Sequence, residues 1–333
     1  MKPFRHFDAA SVDEALSLLK DFGGKAYLIA GGTDLLGVLK DQILEDYPIA
    51  LINIKTIPGM DGIVENTGGL KIGALAKLGD IAQSSFVKDR YPALSQAAQS
   101  VASPEIRNMG TIGGNLCQDV RCWYYRYPNH MGGRVLCRRK GTGPCHAVKG
   151  DNRYHAIMGA KSCWAVCPSD TAIALSALEA EIEIVGTQGR RTIPIQNLYS
   201  PLGHSLSREE VVTEIRIPRP LPESRQAFLK FTERKPVDFA VASVASVIRV
   251  QGDRCEKAGV FLGGVAPAPL RAEAAEQVLE GRLLDAETAE EAARASVAGA
   301  KPLSGNAYKV EIVKTLVKRA ILKRSRGVAV SLP

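Results

Sequence analysis

Six of the seven cysteines lie within one stretch of the chain, from Cys117 to Cys167, with the spacing C-x4-C-x14-C-x7-C-x17-C-x3-C. Clustered thiolates can form disulfides, bind zinc or hold an iron–sulfur cluster. The sequence begins Met1-Lys2-Pro3-Phe4-Arg5, without the apolar segment of a secretory signal, and we therefore expect reduced thiols. The pairs Cys117-x4-Cys122 and Cys163-x3-Cys167 have roughly the spacing of zinc-finger pairs, so zinc and iron–sulfur both stay open.

The same stretch carries most of the net positive charge. The chain has a formal charge of +8, and between Cys117 and Cys163 nine Lys and Arg face two Asp, a local balance of +7. The basic residues are Arg121, Arg126, Arg134, Arg138, Arg139, Lys140, Lys149, Arg153 and Lys161. The excess positive charge therefore lies in one segment and is not spread over the whole surface.

Two glycine-rich stretches precede the cysteines. Gly31-Gly32-Thr33-Asp34 follows the apolar run Ala26–Ala30 and comes before a predicted helix over Leu35–Lys40. Glycines at such a turn permit positive φ and the close approach of a phosphate to main-chain N–H groups. A tight strand–helix turn would explain this loop alone. The second stretch, Gly110–Asn115, changes the interpretation, because two separate loops could hold the two ends of a pyrophosphate.

Strands and helices must position these loops. Ser11-x-x-Glu14 is a capping box that predicts a helix ending at Gly23-Gly24, and helices are predicted near 78–85 and 92–102. Pro218–Pro222 is the best linker in the chain. The elements mix without strict β-α-β alternation, which favours an α+β fold. No apolar run approaches the ~18 residues of a membrane span, and we expect a cytoplasmic protein.

Several motifs resemble a known family. Leu28–Leu36, then Thr111–Leu116, then Pro168-Ser169-Asp170, are similar to the FAD-binding subunit of the xanthine dehydrogenase (molybdenum hydroxylase) family, and the likeness continues through Ala227–Phe231. The resemblance implies a two-part FAD-binding domain of the vanillyl-alcohol-oxidase type over residues 1–222, followed by a smaller C-terminal α/β domain over 223–333. The first domain would divide into 1–57 and 58–222, with the Cys-rich insert at about 117–167.

The resemblance also implies the residues that contact FAD. The first loop supplies pyrophosphate contacts, the second supplies more, and Asp170 and Lys230 lie near the flavin. The implied set is Leu28, Ala30, Gly31, Gly32, Thr33, Asp34, Leu35, Val101, Ala102, Thr111, Gly114, Asn115, Asp170, Val212 and Lys230. No residue matches a covalent flavin attachment, so we expect a dissociable cofactor, and no catalytic acid or base is required because the isoalloxazine performs the redox chemistry.

The Cys-rich insert resembles the [4Fe–4S] insert of the 4-hydroxybenzoyl-CoA reductase flavin subunit, through Cys122, Cys137 and Cys145. The nearest match to the fourth ligand falls around Tyr154, which is not a cysteine. We take Cys163 as the fourth ligand, with Cys167 or Cys117 as substitutes. A zinc site and unligated thiols stay as alternatives.

We therefore predict an electron-transfer subunit of a molybdenum hydroxylase or reductase complex. By resemblance, its partners are a large subunit with the molybdenum cofactor and a small subunit with [2Fe–2S] clusters. The positive charge of the insert suits docking of an acidic ferredoxin. Alternatively, this charge only compensates the negative charge of the cluster internally. Aromatic residues alternate with the basic residues of the insert, a pattern that can bind nucleic acid. We do not interpret it as a nucleic-acid site, because the surrounding sequence resembles a flavin-binding domain. The alternative is a self-contained flavin oxidase with structural zinc.

Overall fold

The computed structural model describes residues 1–234 and 237–323, and its first part is a small parallel sheet. Strands β1 (Arg5–Asp8), β2 (Ala26–Ile29) and β3 (Ala50–Asn53) lie in the order β1-β3-β2. Helices α1 (Val12–Asp21) and α2 (Leu35–Lys40) connect them. All four residues of the central strand β3 are buried, as expected where neighbours flank a strand on both sides.

A larger antiparallel sheet follows, with strand order β4-β5-β10-β6-β7. Its strands are β4 (Ile63–Asn66), β5 (Gly69–Gly73), β6 (Glu181–Gly186), β7 (Gly189–Pro194) and β10 (Glu210–Pro218), and a short hairpin joins β8 (Tyr199–Ser200) to β9 (Gly203–His204). Its helices are α3 (Leu78–Gln83), α4 (Ser85–Arg90), α5 (Pro92–Gln99), α6 (Pro104–Met109), α7 (Ile112–Leu116) and α8 (Asp170–Ala177). The two sheets share one hydrophobic core.

The C-terminal part has its own antiparallel sheet and a core of its own. The strands are β11 (Ser224–Phe231), β12 (Ala242–Gln251), β13 (Arg254–Gly263) and β14 (Leu270–Arg271). The helices are α9 (Glu273–Leu279), α10 (Ala286–Ala295) and α11 (Tyr308–Leu322). Residues 324–333, which the predicted C-terminal domain includes, lie outside the described residues.

The predicted α+β class is confirmed, and the local predictions differ in detail. The capping box forms: Ser11 Oγ accepts from Glu14 N at 3.1 Å, but the Glu14 carboxylate accepts from Ala10 N, one residue before the usual partner. The helix predicted near 78–85 ends at Gln83 and a second helix starts at Ser85, because Ser84 is extended (ψ 120°) and its hydroxyl caps the new helix.

The Cys-rich insert, residues 117–167, is mostly irregular, with short 3₁₀ turns at Arg138–Lys140 and His146–Val148. Its two ends are joined where Arg121 and Val166 exchange backbone hydrogen bonds of 3.0 and 3.2 Å. Within the described ranges, no helix is both long and apolar enough to cross a bilayer.

Candidate functional site

The two glycine loops lie against each other. A Cβ on Gly31 would stand 2.1 Å from the Met109 carbonyl oxygen and 3.0 Å from Gly110 Cα, so only glycine fits at this contact. Gly32 has φ +71°, the left-handed conformation that glycine adopts without strain. The expectation that both glycines use positive φ is therefore right for Gly32 alone. Gly31 is needed instead for the close approach of two backbones.

The second glycine loop is a short helix turn rather than an open loop. Thr111 caps α7, because its hydroxyl oxygen accepts from Gly114 N at 3.1 Å. The Asn115 side-chain oxygen accepts from Ser169 Oγ at 2.6 Å and from Thr171 Oγ1 at 2.7 Å, and all three residues are buried. Asn115 thus fixes the start of α8 to the second glycine loop. Sequence reasoning missed Ser169 and Thr171 as partners, since nothing local indicates a contact across the insert.

Asp170 and Lys230, predicted separately, form a buried ion pair. Lys230 Nζ lies 2.7 Å from Asp170 Oδ2, and the two side chains are 8% and 5% exposed. The ammonium also donates to the Ser100 carbonyl oxygen at 2.9 Å. Burial raises the pKa of the Asp170 carboxyl, and the Lys230 charge offsets only part of that rise. The pair joins α8 to β11, and therefore the first domain to the C-terminal sheet.

Val101 and Ala102 form a strained turn next to this pair. Ala102 has φ +41°, a conformation uncommon for a residue with a side chain. A buried Arg107 stabilises the turn, because one guanidinium nitrogen donates to the carbonyl oxygens of Val101 and Ala102, both at 2.8 Å. Sequence reasoning missed Arg107, since a lone arginine in a short polar helix looks like a solvated charge.

The carboxylate of Asp34 points to the insert. It lies 2.9 Å from guanidinium nitrogens of both Arg121 and Arg126, and it accepts from Asp119 N at 2.9 Å. Burial alone would raise the pKa of Asp34, but the two arginine charges and these hydrogen bonds lower it below its ordinary value. The Asp34 side chain therefore anchors the base of the insert.

The other predicted contacts are apolar or lie in the main chain. Leu28 and Ala30 pack at the edge of the first core, and Val212 lies buried in β10, beside a register shift of that strand. Thr33 and Leu35 flank Asp34 at the start of α2. The Ala30 carbonyl oxygen accepts from Lys55 Nζ at 3.2 Å, which fixes the turn from β2 into the first glycine loop.

The four cysteines chosen from the sequence line one cavity, which we call the cysteine cavity. Cys122, Cys137, Cys145 and Cys163 share it with Tyr124, Tyr125, Arg138, Arg139, His146, Ala147, Ser162 and Ala165. Cys117 and Cys167, the two substitutes, do not line it. In residues 1–234 and 237–323, no three His, Cys, Asp or Glu side chains converge closely enough to hold a single metal ion.

Replacing Lys230 with methionine is expected to lower the free energy of unfolding by roughly 3–5 kcal/mol, because the Asp170 carboxylate loses its buried partner. The loss should shrink as the pH is lowered, since protonation removes the unpaired charge. Urea unfolding at two pH values measures both effects. The matched control is Lys230→Met combined with Asp170→Asn, which should recover part of the loss. Equal losses in the single and double variants would contradict the prediction.

Two glycine loops that face each other at the starts of α2 and α7 are typical of proteins that bind a phosphate-containing nucleotide cofactor. Comparison with known proteins identifies the family. Residues 2–220 match the family model "FAD binding domain in molybdopterin dehydrogenase", and residues 227–324 match "CO dehydrogenase flavoprotein C-terminal domain". The chain belongs to this family, the FAD-binding medium subunits of the xanthine dehydrogenase and CO dehydrogenase type.

Relatives match along nearly the whole chain. The FAD-binding subunit of the aldehyde oxidoreductase of Escherichia coli K12 is 34% identical over 95% of this chain and 96% of its own. The carbon monoxide dehydrogenase medium chain of Hydrogenophaga pseudoflava is 31% identical over 96% of both. A solved structure of carbon monoxide dehydrogenase from that organism superimposes with a TM-score of 0.77, at 30% identity over 96% of both chains. The predicted two-part FAD-binding fold with a C-terminal domain is confirmed.

Proposed function

We propose that this FAD-binding subunit passes electrons between FAD, a [4Fe–4S] cluster in its own insert, and the iron–sulfur clusters of a partner subunit. One observation carries the proposal. Cys122, Cys137, Cys145 and Cys163 are far apart in the sequence, yet their side chains line one cavity. Four thiolates around one space are the ligand set of a [4Fe–4S] cluster.

The arrangement of the thiols favours a cluster over zinc. A single Zn²⁺ binds thiolates at about 2.3 Å, so its ligands must converge on one point. The described side chains do not converge in that way. A cuboidal cluster is wider than one ion and suits thiols distributed around the wall of a cavity. The cavity is also lined by Arg138 and Arg139, which supply positive charge beside four thiolates.

The FAD supplies the redox chemistry of the first domain when it is bound. We assign pyrophosphate binding to the main chain of residues 30–35 and to the turn at Thr111–Asn115. The positive φ of Gly32 supports this assignment, and so does the packing of Gly31 against Met109 and Gly110, which brings the two glycine loops together. Asp170 and Lys230 would orient the flavin from the C-terminal side.

The proposed partners follow from the relatives, which are named as FAD-binding subunits or medium chains. We infer a large subunit with the molybdenum cofactor and a small subunit with [2Fe–2S] clusters. We also propose that the chain divides into domains at residues 1–222 and 223–333. Seven free cysteines suit the reducing cytoplasm, where we place the complex.

Metal analysis and native purification test this function. Protein prepared anaerobically should contain iron and inorganic sulfide together with FAD, and two further chains identified by mass should copurify. Zinc without iron or sulfide would instead favour the self-contained flavin oxidase. FAD with iron and sulfide but without partner chains would contradict the assignment to a complex.

We further propose that an acidic ferredoxin docks on the insert. Arg139 and Lys140 are not available for docking: Arg139 donates to the Leu202 carbonyl oxygen at 2.9 Å, and Lys140 is only 5% exposed. Arg138, Lys149 and Lys161 are exposed. Docking on these three residues would raise the association rate through long-range attraction, which salt screens.

Changing Arg138, Lys149 and Lys161 together to glutamine should slow electron exchange with a ferredoxin by about tenfold or more at low ionic strength, and little at high salt. Stopped-flow rates across a salt series measure this. The control is the double variant Lys314→Gln and Lys318→Gln on α11, which removes two positive charges outside the insert. Parallel salt curves for the wild type and the triple variant would rule out docking and leave internal charge compensation.

A further inference from the structure

His155 lies behind one of the four proposed ligands. Its Nε2 is 3.2 Å from Cys122 Sγ, within hydrogen-bonding distance for sulfur, and its side chain is buried. His155 does not line the cysteine cavity, whereas His146 does, with its Nε2 2.9 Å from the Leu136 carbonyl oxygen. His155 is thus placed to contact the sulfur from outside the cavity, and not to bind a metal inside it.

Aromatic rings fix the position of the imidazole. The ring of Trp123 packs edge-on at 5.6 Å between centroids, and the ring of Tyr124 lies at 5.9 Å. Both residues directly follow Cys122 in the sequence. The ring of His155 therefore has little freedom to rotate away from the sulfur.

The C-terminal domain holds the main chain of His155. Lys309 Nζ donates to the His155 carbonyl oxygen at 3.0 Å, and Asn306 Nδ2 donates to the same oxygen at 3.1 Å. Lys309 is fully buried and donates also to the carbonyl oxygens of Tyr154 and Gly264. Elements 150 residues further along the chain thus position the contact with Cys122.

The surroundings assign the imidazole proton to Nε2. His155 Nδ1 is buried and has no hydrogen-bond partner among the described residues, so a proton there would be an unsatisfied buried donor. With its proton on Nε2, the ring points that proton at Cys122 Sγ, 3.2 Å away.

We propose that His155 is a positioning and tuning residue that donates an N–H···S hydrogen bond to the Cys122 thiolate and raises the reduction potential of the cluster. The proposal rests on the [4Fe–4S] assignment. A donor to a ligand sulfur stabilises the reduced cluster more than the oxidised one, because the reduced cluster carries one more negative charge. Removing the donor therefore makes the cluster harder to reduce.

The test compares variants of the intact protein in a redox titration followed by electron paramagnetic resonance. His155→Phe keeps a ring between Trp123 and Tyr124 but removes the donor, whereas His155→Gln keeps an N–H donor. The matched control is His130→Phe, because His130 is an exposed histidine of the insert and does not line the cysteine cavity. At a fixed potential, His155→Phe should lower the ratio of reduced to oxidised cluster about tenfold, equivalent to about 59 mV for one electron. His155→Gln should recover part of the shift, and His130→Phe should leave the potential unchanged.

The possible outcomes distinguish failure of the tuning role of His155 from failure of the cluster assignment. An unchanged potential in His155→Phe, or an equal shift in His130→Phe, overturns the tuning role while the cluster assignment stands. Loss of the cluster from both His155 variants, with FAD retained, shows that His155 only holds the ligand loop together and also overturns the tuning role. Wild-type protein without iron and sulfide overturns the cluster assignment itself, and the inference with it.

Discussion

A chain with valine in place of Gly32 is expected to purify folded but with a flavin-to-protein ratio below about one tenth of the wild-type value, which corresponds to a loss of about 1.4 kcal/mol or more in binding. Gly32 has φ +71°, and a β-branched residue held there is strained by roughly 1–3 kcal/mol. The nearest atoms to a Cβ at this position belong to the side chains of Leu36 and Ile29, at 3.2 and 3.3 Å, and these can move. We therefore expect the fold to tolerate the change, and the turn proposed to bind the pyrophosphate not to tolerate it.

The chain offers a matched control for this loss. Gly37 lies in α2, two residues beyond Leu35, the last predicted contact of the first glycine loop, and a Cβ added there meets nothing within 4 Å. Gly37→Ala should bind FAD normally, with a small gain in stability because alanine favours a helix. Absorbance of the flavin relative to protein measures both variants. A normal ratio in Gly32→Val would remove the assignment of the first glycine loop to the cofactor.

Serine in place of Cys122 or of Cys145 is expected to remove the cluster entirely. The wild type should contain about four irons and four sulfides per chain, and each variant close to none, because a serine hydroxyl is a poor ligand for this iron site. FAD should stay bound, since the glycine loops lie outside the insert. Iron, sulfide and flavin analysis on the same anaerobic samples measures all three quantities.

Cysteines outside the cysteine cavity are the controls. Cys255 is buried in β13 of the C-terminal sheet, and Cys255→Ala should leave the iron content unchanged. Cys117→Ser and Cys167→Ser should also keep the cluster if Cys163 is the fourth ligand. Iron retained in Cys163→Ser but lost in Cys167→Ser would transfer that role to Cys167.

Local sequence patterns predicted the turns and helix starts that neighbouring residues determine. The turn after β2 is set by Gly31 and Gly32, and the start of α1 by Ser11, so neighbouring residues in the sequence were enough. The resemblance added Cys122, Cys137 and Cys145, and Cys163 was chosen as the fourth ligand because the matching position is Tyr154. The structure brings those four cysteine side chains to one cavity.

Contacts between distant segments could not be predicted in this way. The bonds from Asp34 to Arg121 and Arg126, and the pairing of Asp170 with Lys230, depend on how the chain folds back on itself. The sequence left open whether the net charge of the insert is exposed or compensated internally, and in the structure Arg121, Arg126, Arg139 and Lys140 have internal partners. Composition cannot distinguish a buried cation from an exposed one.

The insert contacts both domains, and these contacts affect how the protein unfolds. Asp34 holds its base to the first domain, while Asn152 receives the Gly305 N–H at 2.8 Å and Ile157 lies in the C-terminal core. Two domains with separate cores would ordinarily melt independently. With a shared segment packed into both, neither can unfold without breaking contacts of the other. Thermal denaturation should therefore show a single cooperative transition. Limited proteolysis should not release either domain in a folded form.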